Sequence, residues 1–199
     1  MSTRPATRLS NFLQRSGACP EAVFWSRQFS SLEDLWQRCP RTEWMLWSMA
    51  QLGYRGARRL RLFAVSCARR SQPLLVDARG VQAIEAAERY ANAQAGIDDL
   101  RRAFRAAREA AALAAARPGW TAALACATTA AASTARDNPF DAARDASSHA
   151  ARAIAWDIQR DETLEAEEAW QTDELRRIIG DDMDRLIQVA EYESYGDGT

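Results

Sequence analysis

The residues best equipped for chemistry in this chain are arginines. Arg58, Arg59, Arg61, Arg69 and Arg70 fall in one stretch, RGARRLRLFAVSCARRS at 55–71, with Arg55 at its start and no acid before Asp77. A guanidinium group is planar, permanently charged and able to donate to two oxygens of a phosphate or carboxylate at once. The stretch can therefore grip a nucleotide phosphate or an acidic partner. It can equally pair within its own molecule, because from Asp157 to the end fourteen acids face four arginines. Glu85 and Arg89 stand four apart, in the favourable order for a helical ion pair. Glu85 and Glu88 can share a cleft, or on an exposed helix simply serve solubility. In the acidic region Glu165, Glu168 and Asp173 are the candidates for meeting a basic surface.

The other reactive side chains do not assemble into a catalytic pattern. The single histidine, His149, has no serine, cysteine or second histidine at useful spacing, and Ser66 and Cys67 lie roughly eighty residues from it in an apolar helix. Its simplest role is structural. The cysteines at 19, 39, 67 and 126 form no CxxC pair, which points to reduced thiols and away from zinc. No glycine-rich phosphate loop occurs. Asp181, Asp182 and Asp184 lack the twelve-residue spacing and closing glutamate of a calcium loop. The expectation is a protein that is not an enzyme and carries no metal or cofactor.

The elements that must hold these residues are helices. Alanine is the strongest helix former and its small side chain lets helix axes approach closely. The stretch from Gln82 to Ala155 is dense in it. Pro20 suits the first turn of a helix over EAVFWSRQF, and Ser31 is an N-cap for LEDLWQRC. Thr42 is placed to cap EWMLWSMAQL, which is apolar on nearly every face and so reads as buried, or as an aromatic binding wall. Gly53 stops it. Leu60, Phe63, Ala64 and Cys67 mark the inner stripe of the arginine helix. Asp77 opens the next, with Val81, Ile84, Ala87 and Ala91 inward. Leu100, Phe104, Ala107, Ala111 and Ala114 form a seam, and Asp98, Arg102, Arg105 and Glu109 a charged ladder beside it. Trp120 to Arg136 is the most alanine-dense helix. After the break Asp137-Asn138-Pro139, the residues Phe140, Ala143, Ser147, Ala150, Ile154 and Ile158 make another seam. Trp170, Leu175, Ile178 and Ile179 supply an apolar face; Gly180 interrupts, and Met183, Leu186, Ile187 and Ala190 resume it.

No strand-like alternation occurs. The expected fold is all-α, a single alanine-rich bundle of about seven to nine helices. Residues 1–17 read as a polar, partly ordered segment, 18–193 as one helical domain and 194–199 as a flexible tail. All 26 basic residues are arginine and the net charge is −1, which argues against general nucleic-acid binding. No apolar run has the length of a signal or a membrane span, so a cytoplasmic protein is expected.

Three segments, TEWMLW at 42–47, RRLRLFAVSCARR at 58–70 and QAIEAAERYANAQ at 82–94, followed by an alanine-rich half, resemble the Imm5-like immunity proteins of bacteria and phages. DELRRIIGDD at 173–182 resembles a closing segment of related planctomycete proteins. The resemblance spans most of residues 20–182. It implies a small cytosolic protein that neutralises a protein partner (a toxin, nuclease or defence component) by binding, and it brings no catalytic residues. Two further readings stand beside it. One is a nucleotide or signalling-phosphate sponge built on the arginines with Trp44 or Trp47; the other is a scaffold that self-associates through helix faces.

Overall fold

Capping residues and chain breaks set the helix boundaries. In the computed structural model, which describes residues 5–115, 121–157 and 163–196, the order is α1 (Pro5–Arg15), α2 (Pro20–Ser26), α3 (Leu32–Arg38), α4 (Thr42–Gln51), α5 (Ala57–Ser71), a 3-10 turn (Gln72–Leu74), α6 (Ala78–Ala91), α7 (Ile97–Ala115), α8 (Ala122–Ser133), α9 (Pro139–Ala155), α10 (Leu164–Ile179) and α11 (Asp181–Gly196). The all-α class holds; among the described residues there is no strand. The expected count of seven to nine is corrected to eleven α-helices among the described residues. One cause is α1, which forms within the segment read as polar: Leu9 and Leu13, four apart, are both buried against Val23, Phe29 and Leu35. The separate helices expected over EAVFWSRQF and LEDLWQRC are present as α2 and α3, seven residues each.

Local chemistry explains most boundaries. The Ser31 side chain accepts from the Asp34 amide at 3.0 Å, and Asp77 accepts from the Arg79 amide at 2.9 Å. Asn138 accepts from Phe140 and Asp141, with Pro139 as the first residue of α9. Each satisfies amides that the first helical turn leaves without partners. Gly53 (φ +73°) ends the turn after α4, and Gly180 (φ +53°) separates α10 from α11; both φ values favour glycine. The expected Thr42 cap is corrected. Thr42 is the first residue of α4, Arg41 holds the cap position without a side-chain bond, and the Thr42 hydroxyl is buried with no partner among the described residues.

The chain divides into two compact units. One contains the residues through Tyr54 together with those from Gly180 onward. In it α11 lies against α3, the Leu32 amide donates to Glu191 Oε1 at 2.9 Å, and the Tyr54 hydroxyl donates to Asp182 at 3.4 Å. A carboxylate on the first amide of α3 also sits at the positive end of that helix. Met45, Leu46 and Met49 are the buried side of α4, whereas Trp44 and Trp47 are only partly buried. The helix is therefore not enclosed on all faces as expected.

The other unit runs Arg55–Ile179. In it α9 lies against α5 and α8, α6 against α5 and α7, and α10 against α9 and α5. Ala64, Ala142 and Ala146 form a contact cluster of their own, so α5 and α9 meet through methyl groups. Leu60, Phe63, Ile84, Leu100, Ile154 and Leu175 fill the space around such contacts. Of the expected seams, Ala143, Ser147, Ala150 and Ile154 are buried while Phe140 is half-buried; in α6, Ile84 and Ala87 are buried, and Val81 and Ala91 half-buried. Ala114, Trp120 and Ile158 lie outside the described side chains. No helix among the described residues is long and apolar enough to cross a membrane.

Candidate functional site

α5 carries the arginines on both flanks of its apolar stripe, and each of the five candidates has a partner in its own chain. Arg61 is the most deeply placed, 2% exposed. Its guanidinium donates to the Thr134 carbonyl at 2.7 Å and the Asp137 carbonyl at 3.1 Å, and lies 5.2 Å from the Tyr90 ring centroid. It thus caps the carboxyl end of α8, where carbonyls lack helical partners and the helix dipole favours a cation. Burial holds its pKa below the ordinary arginine value, opposed by Tyr90 and Asp137. Arg61 is a structural peg with no face open to a ligand.

Arg70 reaches the other buried charge of this unit. Its Nε donates to Glu167 Oε2 at 2.6 Å, with Glu167 wholly buried, and its guanidinium sits 4.4 Å from the Trp170 centroid. Gln171 donates to Glu167 Oε1 at 3.1 Å and to the Ser147 carbonyl at 3.0 Å. This polar cluster joins α5, α9 and α10. Cys67 lies beside it, and burial, followed by Glu167 and Glu174, pushes the thiol well above its usual range. A thiol kept protonated is a poor nucleophile.

Arg58, Arg59 and Arg69 line an open cleft of about 380 Å3 with Ser66, Glu88, Glu174 and Arg177. Here too each arginine has a partner, but the two carboxylates of the cleft offset only two of the four guanidinium charges. Arg58 donates to Asn92 Oδ1 at 2.8 Å, Arg59 to the Ile179 carbonyl, and Arg69 to Glu88. Ser66 donates to Glu174 at 2.6 Å, and Arg177 makes two bonds to the same carboxylate, at 2.6 and 2.7 Å. The Arg177 bonds chiefly hold the Glu174 carboxyl below its ordinary pKa, with Ser66 adding to the shift and burial opposing it. The cleft is a mixed-charge surface.

The remaining candidates are scattered. Glu85 and Arg89 do not pair with each other, and Arg69 takes Glu88 from across the α5–α6 contact. Asp173 pairs with Arg176 at 2.9 Å. Glu165 is exposed and Glu168 half-buried on α10, neither with a partner among the described residues. In the ladder expected on α7, Arg102 bonds Asp99, and Glu109 reaches Arg79 at 4.0 Å.

Two concave sites lie outside the arginine row. In the first unit a pocket of about 310 Å3 is walled by Trp25, Trp44 and Trp47. The Trp25 and Trp44 rings are 5.7 Å apart, and Arg41 lies 4.9 Å from the Trp44 centroid while pairing with Glu21 at 2.9 Å. The aromatic content of α4 signals this wall in the sequence; the contribution of Trp25 does not follow from spacing. In the other unit a cleft of about 350 Å3 includes His149, which sequence spacing marks as structural. Among the described residues no cluster of His, Cys, Asp or Glu could hold a metal ion.

No family model, curated protein or solved structure matches the chain.

Proposed function

We propose that this is a non-catalytic binding protein that neutralises a protein partner, as expected of the Imm5-like immunity proteins it resembles. The observation that carries the reading is the internal engagement of the α5 arginines. Arg61, Arg69 and Arg70 are held by carbonyls or carboxylates of the same unit. A nucleotide phosphate would have to compete with those partners, although Arg58 holds the neutral Asn92 and Arg59 the neutral Ile179 carbonyl. The uncommitted carboxylates Glu165 and Glu168 at the start of α10 remain available for a basic surface, where opposite charge speeds encounter and fixes register.

Removing the acidic region whole would not test this, because α10 also supplies the buried Glu167, Leu175 and Ile179. Reversing charge at exposed Glu165 and half-buried Glu168 does. A Glu165→Arg/Glu168→Arg variant should keep its melting temperature and lose capture of the partner that the wild type retains from its native host. Equal capture by both would overturn the reading, and so would a saturable rise in melting temperature with a nucleotide.

A further inference from the structure

Packing does not account for the tryptophans around the pocket of the first unit. Trp25, Trp44 and Trp47 all line its volume of about 310 Å3, and each is only half-buried. Tryptophan is the largest apolar body a chain can bury, and a core would enclose it. Here three of them leave surface open to one concavity. The wall is held from behind: Trp25 stands 4.6 Å from the ring of the buried Phe29, and Trp25 and Trp47 pack on the cluster of Leu9, Leu13 and Leu35. The Trp25 and Trp44 rings, 5.7 Å apart at their centroids, are inclined at 48°. They make two sides of a corner, where a parallel stack would cover both inner faces.

The charges of the lining select what the corner attracts. An indole face is the negative side of the ring quadrupole and draws cations to it. The chain already uses this at the rim, where the Arg41 guanidinium lies 4.9 Å from the Trp44 centroid. Arg41 also pairs with Glu21 at 2.9 Å, but both side chains are exposed, so the pair is weak and easily parted. The remaining charged residue of the lining, Glu43, is exposed and has no partner among the described residues. Arg41 and Glu21 cancel, and Glu43 leaves the lining with one net negative charge.

We propose that this pocket binds a small organic cation with a trimethylammonium head, seated against the indole faces of Trp25, Trp44 and Trp47 and balanced by Glu43. Such a head donates no hydrogen bond, so an apolar aromatic wall satisfies it fully, and a carboxylate at the rim supplies the opposite charge. The net charge of the lining repels carboxylates and phosphates. The volume is at the small end of ligand pockets and suits a free small molecule. The site uses no residue of α5 or α10, so its occupancy is independent of partner capture.

Choline is the probe, titrated into the full chain at constant ionic strength by calorimetry and by NMR of the indole N–H signals. Its uncharged counterpart is 3,3-dimethylbutanol, in which carbon replaces the nitrogen, and its unmethylated counterpart is ethanolamine. Choline should bind saturably and shift the Trp25, Trp44 and Trp47 signals, and both counterparts should bind at least about fivefold more weakly. Trp44→Leu should weaken choline by about fivefold, and Glu43→Gln, at an exposed side chain that folding does not need, by about threefold. Arg41→Gln removes the chain's own cation from the Trp44 ring and should tighten choline by about threefold, a gain that a purely structural aromatic cluster would not show. Absence of saturable choline binding up to about 10 mM would overturn the proposal. So would equal binding of 3,3-dimethylbutanol, unchanged affinity in both Glu43→Gln and Arg41→Gln, or binding of a trimethyllysine peptide far tighter than choline, which would assign the wall to a modified protein.

Discussion

Arg70→Met is the substitution that most directly tests how the interior is held together. In the native chain Glu167 is 0% exposed and Arg70, whose side chain is 25% exposed, donates to it at 2.6 Å. Removing one member of a buried pair costs about 3–5 kcal/mol, because the other charge stays desolvated. Arg70 retains some contact with solvent, so the lower end applies, about 3 kcal/mol at pH 7.5. For a chain of this size that is a fall in melting temperature of about 6–12 °C. Methionine keeps an apolar contact on Trp170, which limits the loss from the 4.4 Å cation–π contact.

The pH dependence separates a desolvated carboxylate from lost packing. In the variant, burial favours the protonated Glu167 carboxyl in the folded chain, while the unfolded chain releases that proton near the ordinary glutamate value. Between the two the folded state binds more protons, so stability falls as pH rises. The deficit relative to wild type should shrink to about 1 kcal/mol at pH 5, each pH unit within the window being worth about 1.4 kcal/mol. Arg70→Met/Glu167→Leu should recover to within about 1 kcal/mol of wild type, since Gln171 keeps its bond to the Ser147 carbonyl. The assay is thermal unfolding followed by circular dichroism at both pH values. A single-variant loss under about 1 kcal/mol that does not change with pH would mean the pair behaves as an exposed one, and the reasoning fails.

Ala131→Leu, at a wholly buried position of α8, should destabilise by about 1–3 kcal/mol through overpacking, read by urea unfolding. Asn138→Ala removes the acceptor for two amides of α9 and should cost about 1 kcal/mol in the same assay. Gly80→Ala places a Cβ 3.2 Å from a methyl of Leu75, a flexible side chain that can move, so the helix-propensity gain should leave the melting temperature unchanged or slightly higher. His149 has a folded pKa below its unfolded value, so the unfolded chain binds the extra proton first; its contribution is present above about pH 6.5 and is lost as pH falls below that. His149→Gln should flatten the stability profile in that window, above the range where ordinary carboxylates titrate.

Much of the helical framework is legible in the sequence because its causes are local. Ser31, Asp77 and the Asn138-Pro139 pair act within three residues of themselves, and the Leu60-Phe63-Ala64-Cys67 stripe follows from helical geometry. The elements that escape local reading depend on distant partners. α1 buries Leu9 and Leu13 in a largely polar run, and it packs on residues of α2 and α3. Thr42 has the residue type of a cap, yet the turn after Pro40 places Arg41 at the cap instead.

The site is less legible for the same reason. The placement of an arginine row on α5 is readable; the partners that absorb it are not, since Arg70 and Glu167 are separated by 97 residues and Arg61 meets carbonyls 73 and 76 positions away. Backbone carbonyls carry no sequence signature. Alanine packing makes this outcome physically natural: helices that meet through methyl groups bring backbones close, as at Ala64, Ala142 and Ala146, so a long arginine side chain can reach across to a neighbouring helix end. The same small side chains leave open volume where two alanine faces do not interlock, and His149 and Arg108 border such a volume. Close helix approach thus accounts both for charges drawn inward and for the open volume beside them.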